Sequence, residues 1–282
     1  MDDWQSWNAE VMRRRRRLRL REGRINKLPV RSLLPNILTT LALCSGLTSI
    51  RFAIESKFDL AVAAIMIAGL FDGIDGRVAR LLKGTSRFGA ELDSLSDFLS
   101  FGVAPVVVLY LWTLGDIAGF GWIAVLSHAV CCALRLARFN VALDDPDKPA
   151  WTAAFFTGVP SPAGAALVLL PIIASFSLGD TFCRSPYLVA VVAVAVAFLM
   201  VSRIPTLSFK RIRIHRDFVL PTLVFVGIAT ALALSYPWQV LGTVILAYAI
   251  TIPLGPIAYA KARERAAARL AAEADTPPGT AL

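Results

Sequence analysis

Long apolar runs alternate with short polar gaps along the whole chain, on a scale far longer than a strand or a surface helix would give. About twenty apolar residues cross the hydrocarbon layer of a membrane as a helix. Windows of that kind fall at roughly 33–54, 59–82, 92–114, 117–138, 160–179, 186–203, 218–236 and 238–260. The pattern predicts an all-α, polytopic membrane helix bundle with about eight spans. It divides the chain into a basic juxtamembrane segment (1–32), a transmembrane domain (33–260) and a tail (261–282). No soluble domain and no internal repeat is visible.

Composition agrees with that reading. Of 282 residues, 56% are hydrophobic and 17% charged, and the mean hydropathy is +0.64. A soluble domain carries about 25% charge. The formal net charge of +9 would suggest nucleic acid in a soluble protein. Here the basic residues sit in the gaps between apolar runs, which fits membrane orientation and anionic lipid instead. Cys44, Cys131, Cys132 and Cys183 have neither disulfide nor zinc spacing, and Cys131 and Cys132 lie inside an apolar run as small hydrophobes do.

Topology follows from Lys and Arg. Arg13 to Arg17, Arg19, Arg21, Arg24, Lys27 and Arg31 precede the first window. Arg77, Arg80, Lys83 and Arg87 flank the second gap, Arg135, Arg138 and Lys148 the fourth, and Arg203, Lys210, Arg211, Arg213 and Arg216 the sixth. Lys261, Arg263, Arg265 and Arg269 follow the last, whereas the alternate gaps hold only Arg51, Lys57 and Arg184. Eight spans with both termini in the cytoplasm satisfy this distribution, as expected for a bacterial inner membrane protein. The first thirty residues are either an interfacial helix, with Trp4, Trp7, Val11 and Leu18 toward lipid, or a disordered basic tail. "EADTPPGTAL" at the end reads as disordered.

One stretch breaks the apolar rhythm. Residues 71–98, "FDGIDGRVARLLKGTSRFGAELDSLSDF", place four aspartates between two runs built for lipid. An Asp at the centre of a membrane costs about 2.5–3.5 kcal/mol even on the lenient insertion scale. Asp72 and Asp75 share a helix face with Gly76, Ala79 and Arg80, and Asp93 and Asp97, four apart, share another. The short connector "LLKGTSRFG" makes the two helices antiparallel neighbours at the cytoplasmic interface, so four carboxylates meet.

Carboxylates that close repel one another unless protons or cations intervene. An all-oxygen set without His or Cys selects a hard ion such as Mg2+ or Mn2+, and two ions would suit phosphoryl displacement. Small residues at Gly73, Gly76, Ala79, Gly89 and Ala90 leave room for a bulky anion, and Arg80 can grip phosphate through two parallel hydrogen bonds. Two other readings compete. One takes the acids as ordinary loop residues paired with Arg77 or Arg80; the other assigns them to a cation-coupled transporter, although such proteins place their acids near mid-membrane.

The spaced set Asp72, Asp75, Gly76, Ala79, Arg80, Gly89, Asp93 and Asp97 resembles the signature of the CDP-alcohol phosphotransferase family. "LLPNILTTLALCSG" (33–46) is similar to the start of the family's first helix. "RLARFN" (135–140), "FFTGVPSPAGAA" (155–166) and "LMVSRIPTLSFK" (199–210) resemble its phosphatidylserine synthase branch. The resemblance implies that Asp72, Asp75, Asp93 and Asp97 ligate two metal ions and that Asp97 also accepts the proton of the incoming hydroxyl. It implies that Gly76, Arg80 and Ser86 contact CDP-diacylglycerol, that Asn36 and Thr39 hold its cytidine nucleotide, and that CMP leaves. In the branch the acceptor is L-serine, and the family suggests a homodimer.

The aspartate motif handles only the donor, so glycerol 3-phosphate, inositol phosphate or choline remain alternative acceptors. Arg135 and Arg138 are either headgroup anchors or ligands of the acceptor or a phosphate, with Lys210 and Arg211 weaker candidates for that task. Arg213 and Arg216 read as headgroup contacts and His215 has no assigned role. Asn140, Pro160, Ser161 and Pro162 shape the acceptor side without assigned chemistry, and "PSP" also reads as ordinary helix capping.

Overall fold

The structure is a computed structural model that describes residues 30–82, 86–143, 155–207, 218–261 and 264. The expected N-terminal interfacial segment and nearly all of the tail lie outside the described residues. Helices dominate what is described. α1 (Val30–Ile54) and α2 (Phe58–Leu82) form a hairpin packed along its length. At its turn, Glu55 bonds Arg51 (2.9 Å) and Lys57 (2.8 Å), so the two basic residues of this gap are already paired. Lys57 and then Arg51 hold the Glu55 carboxyl below its ordinary pKa.

The third rod is one continuous helical stretch with a change of pitch inside it: α3 (Arg87–Asp97), a π-helical segment (Phe98–Val103) and α4 (Ala104–Trp112). A short 3-10 turn leads to α5 (Ala118–Leu143). Then come strand β1 (Phe155–Thr157), α6 (Ser161–Val168), α7 (Leu170–Leu178), the single turn α8 (Asp180–Cys183) and α9 (Pro186–Val201). Strand β2 (Pro205–Leu207), α10 (Val219–Ser235) and α11 (Pro237–Thr251) complete the order.

Each apolar window of the sequence coincides with a helix or a continuous helical stretch. Five of these are long and apolar enough to cross a membrane: Leu33–Ile54, Arg87–Trp112, Leu114–Ala142, Ser161–Leu178 and Pro237–Lys261. Pro186–Val201 and Leu220–Ser235 are apolar but shorter. α2 carries Asp59 in its first turn and Asp72, Asp75, Arg77 and Arg80 in its last turns, which spoils its apolarity mainly at the second end. The protein is an all-α membrane protein in architecture, with one amendment. β1 and β2 pair antiparallel, Phe155 opposite Leu207 and Thr157 opposite Pro205.

That small ladder has a local cause. Gly158 has φ +77°, and a Cβ there would lie 2.6 Å from the Met200 carbonyl oxygen and 2.8 Å from that of Ser202. Only glycine takes this turn and this approach together. The Gly158 amide donates to Ile204 O (2.9 Å), and Thr206 Oγ1 donates to Gly158 O (2.9 Å). From α5, Arg138 Nη1 donates to Val201 O (2.8 Å) while Nη2 reaches Thr157 O and Ser202 O, each at 3.3 Å. The guanidinium thus ties the ladder to the end of α9.

The core centres on the π segment and α4. Phe101, Ala104, Val106, Val108 and Leu109 are buried between α1, α2, α5 and α6. Pro105 has no amide to offer the Phe101 carbonyl four residues back, which removes an α-helical bond at this point. His128 of α5, fully buried, brings Nε2 to 3.3 Å from that oxygen. A carbonyl only accepts, so Nε2 carries the hydrogen. On the other side, Ser96 and Ser100 donate to Thr39 O (3.2 Å) and Ala42 O (3.3 Å) of α1. α10 packs mainly on α11 and leaves Leu220, Leu223, Val224 and Phe225 exposed, as befits a lipid-facing helix.

Gly158→Ala is expected to destabilise the protein by about 1–3 kcal/mol, through left-handed backbone strain and the two carbonyl contacts. A lower midpoint of thermal unfolding in detergent is the measurement, and an unchanged midpoint would mean that the ladder is not held this way.

Candidate active site

The site is built where α2 ends and α3 begins. Ser86 has extended backbone and its Oγ accepts the Gly89 amide (3.0 Å), so the helix starts at Arg87. Gly89, expected in the connector, therefore lies in the first turn of α3. Low hydropathy from Glu91, Asp93 and Asp97 hides this start from an apolar count. The helices also do not pack as simple neighbours. α1 packs against both, whereas the backbones of α2 and α3 make few contacts with each other. They are consecutive in the chain, and they approach one another where Gly69 faces the Phe101 ring. Between that point and the end of α2 they leave a cleft.

The acids fill it. Oxygens of Asp72, Asp75 and Asp93 all lie within 4.8 Å of one another. Asp97 joins them by hydrogen-bonding contact with Asp72. Two carboxyl groups in such contact need a proton or a cation between them. Among the described residues no ion pair reaches any of the four: the pairs found join Arg51 and Lys57 to Glu55, and Arg184 to Asp180. Asp75 is buried, and its Oδ2 lies 2.8 Å from Thr39 Oγ1. That hydroxyl is also 3.0 Å from Pro35 O, so one proton serves two acceptors. A set of converging, all-oxygen, largely uncompensated donors fits a hard divalent cation. The cluster is a candidate metal centre on its own geometry.

The other expected site residues divide into groups. Asn36 and Ser86 gather around Gly89, where a Cβ would lie 2.7 Å from Asn36 Oδ1 and 3.1 Å from Ser86 Oγ. Thr39, one turn along α1, orients Asp75. The exposed Arg80 lies back over Gly76, with Nη1 3.8 Å from where a Cβ would stand. Arg135 is buried, donates from Nη1 to Ser161 Oγ, and lies within electrostatic range of Asp97 and Asp72. Arg138, by contrast, is held by the carbonyls of Thr157, Val201 and Ser202, so the structure parts the two arginines that the sequence reading took together. Lys210 and Arg211 lie outside the described residues.

Some contributors were named from sequence only as shaping the acceptor side, without assigned chemistry (Asn140, Ser161), and others were not anticipated. Asn140 Nδ2 donates to Ser94 Oγ (2.9 Å), linking α5 to the acid-bearing helix. Ser96, Ser100 and His128 fix the rod on both sides of Asp97, and Ser161 is the partner of Arg135. Polar residues spaced four apart in an otherwise apolar helix were the signal for the two serines. Ser161 looked like a cap, and nothing local marked His128.

Five helices long and apolar enough to cross a membrane, with a cluster of acids where α2 ends and α3 begins, define a membrane protein with a polar centre. A family model described as CDP-alcohol phosphatidyltransferase matches residues 32–201, and a second, CDP-alcohol phosphatidyltransferase 2, matches residues 217–253. The chain belongs to the CDP-alcohol phosphatidyltransferase family. It is 40% identical over 221 residues to a Mycobacterium leprae protein named CDP-diacylglycerol--serine O-phosphatidyltransferase, covering 78% of this chain and 73% of that one. A Helicobacter pylori protein of the same name is 34% identical over 200 residues, 70% of this chain and 81% of its own length. An archaetidylserine synthase of Methanothermobacter thermautotrophicus is 36% identical over 179 residues, 61% of this chain and 68% of that one.

Asp75→Ala is expected to raise the Mn2+ concentration needed for half-saturation of the purified protein by at least roughly tenfold. Titration followed by the ion's paramagnetic signal checks it, and an unaltered curve would remove Asp75 from the ligand set.

Proposed function

We propose that the protein is a metal-dependent phosphatidyltransferase that moves the phosphatidyl group of CDP-diacylglycerol to L-serine and releases CMP. The convergence of Asp72, Asp75, Asp93 and Asp97 on family-motif positions carries the reaction class. The names of the relatives support serine as the acceptor. In this reading the serine hydroxyl oxygen forms a bond to the phosphorus that bears diacylglycerol, and the bond from that phosphorus to the bridging oxygen of CMP breaks. Asp97 takes the hydroxyl proton, a role suited to a carboxylate at the edge of the cluster, because serine is a poor nucleophile near neutral pH.

Asp72, Asp75, Asp93 and Asp97 would hold Mg2+ or Mn2+, two ions in this reading, and the bound metal supplies positive charge against the diphosphate and the leaving oxygen. Thr39 fixes the orientation of Asp75. Asn36 and Ser86 line the nucleotide side beside Gly89, whose missing side chain leaves space there. Gly76 lets the diphosphate approach α2, and Arg80 grips it. Arg135 faces the acceptor side. Arg138 is better read as a structural clamp than as a ligand of acceptor or phosphate.

The wider setting is part of the same proposal. Eight spans, with the transmembrane domain at 33–260 between a basic N-terminal segment and a cytoplasmic tail, place the cleft at the cytoplasmic face of a bacterial inner membrane. Acyl chains then stay in lipid while serine arrives from water. A homodimer is expected from the family resemblance.

Two measurements test the reading. Purified protein given CDP-diacylglycerol in detergent should release CMP with L-serine, and not with choline or glycerol 3-phosphate. Release driven by those acceptors and absent with serine would remove the serine assignment, and release absent throughout would favour a transporter. Asp97→Asn should lower turnover by at least about a hundredfold, within the range of general-base contributions. A variant that keeps most of the activity would exclude Asp97 as the base.

A further inference from the structure

Resting on the serine reading, one buried cluster beyond the metal centre has the wrong balance of donors and acceptors. Arg135 is 8% exposed, its Nη1 donates to Ser161 Oγ, and its Nε meets no partner among the described residues. The phenol oxygen of Tyr248, on α11, is buried and meets none either. It sits beside Thr206 but out of hydrogen-bond geometry, and the Thr206 hydroxyl donates to Gly158 O instead. Tyr248 and Arg135 lie within electrostatic range of one another, Arg135 is likewise within range of Asp97, and α11, which carries Tyr248, packs against α6, which carries Ser161.

An Arg Nε–H can only donate, and a Tyr hydroxyl donates readily. Leaving such groups buried and unpaired costs about 1–3 kcal/mol each, more for a charged one. The missing component is an acceptor, and a cation with no carboxylate within salt-bridge distance among the described residues asks for an anionic one. A donor-lipid phosphate is the less fitting source, because Gly76 and Arg80 offer the diphosphate its place on α2. In serine, by contrast, the carboxylate and the reacting hydroxyl hang from adjacent carbons. A carboxylate held by Arg135 would leave the hydroxyl close to Asp97.

We infer that Arg135, Ser161 and Tyr248 form the pocket for the carboxylate of the acceptor amino acid, with Tyr248 a specificity-determining residue supplied by the C-terminal helix. Ser161 accepts from Arg135 and fixes the guanidinium. The phenol donates to the carboxylate from the opposite side. The reaction thus draws on residues from α5, α6 and α11 as well as on the acid-bearing helices.

The test uses full-length protein in detergent, CDP-diacylglycerol, and two acceptors, L-serine and serinol, which has a second hydroxymethyl group in place of the carboxylate. CMP release is the readout. Wild-type KM for serinol is expected at least roughly tenfold above that for L-serine, as loss of hydrogen bonds to a charged group implies. Tyr248→Phe should raise KM for L-serine about tenfold, change kcat by less than about twofold, and leave KM for serinol and for CDP-diacylglycerol as they were. Equal wild-type use of both acceptors overturns the pocket without need of a variant. An unchanged KM for L-serine, a rise in KM for CDP-diacylglycerol instead, or equal loss with both acceptors in Tyr248→Phe also overturns it. In each of those cases wild-type release with L-serine leaves the transferase reading standing. Release with glycerol 3-phosphate alone overturns the serine reading itself, and the pocket with it.

Discussion

Mutual repulsion among four carboxylates is the constraint around which the rest of this molecule is arranged. Asp72, Asp75, Asp93 and Asp97 stand together in a bundle of otherwise apolar helices, and no basic side chain among the described residues forms an ion pair with them. Such a cluster holds together only if something positive is received between its members. The helices that carry the acids are accordingly kept slightly apart, with α1 packed against both as a common support. The interactions that brace them, Thr39 with Asp75, Ser96 and Ser100 with α1, and Asn140 with Ser94, are neutral hydrogen bonds that add no competing charge.

Beyond the cleft the molecule has a second polar layer. Arg135 and Ser161 bring α5 and α6 together beside Asp97, while Arg138, one turn further along α5, closes the β ladder onto the end of α9. Neighbouring arginines of one helix therefore do different work. One has bonding capacity left unfilled among the described residues and lies within electrostatic range of Asp97 and Asp72, and the other is committed to backbone carbonyls. Arg suits both tasks, because its planar fork can serve several acceptors in fixed directions.

Much of the fold was legible because lipid imposes a coarse rule: apolar runs of sufficient length read directly as helices, and every window found one. The aspartates were legible for the same reason, since acids in such surroundings demand an explanation. What could not be read depends on contacts between residues far apart in the chain. The β ladder needs Gly158 and Thr206 to meet, and neither Phe155–Thr157 nor Pro205–Leu207 is long enough to announce a strand. The early start of α3 is set by one cap at Ser86 rather than by hydropathy. Spacing alone grouped Arg135 with Arg138, because two residues three apart on a helix look alike until their neighbours are known. His128 carries no local signal at all. Its partner is a carbonyl freed by a proline 23 positions earlier in the chain.

The π-helical segment at Phe98–Val103 also sets how this rod can vary in length. Each residue of an α-helix turns the chain by about 100°, so the wide turn after Asp97 fixes the angular phase between the polar half of the rod and its buried half. Loss of a single position there would let the helix run on regularly while swinging the carboxylates away from those across the cleft. A change of length is thus far less tolerable in this six-residue segment than in the outer loops, and sequence length itself becomes part of the active geometry.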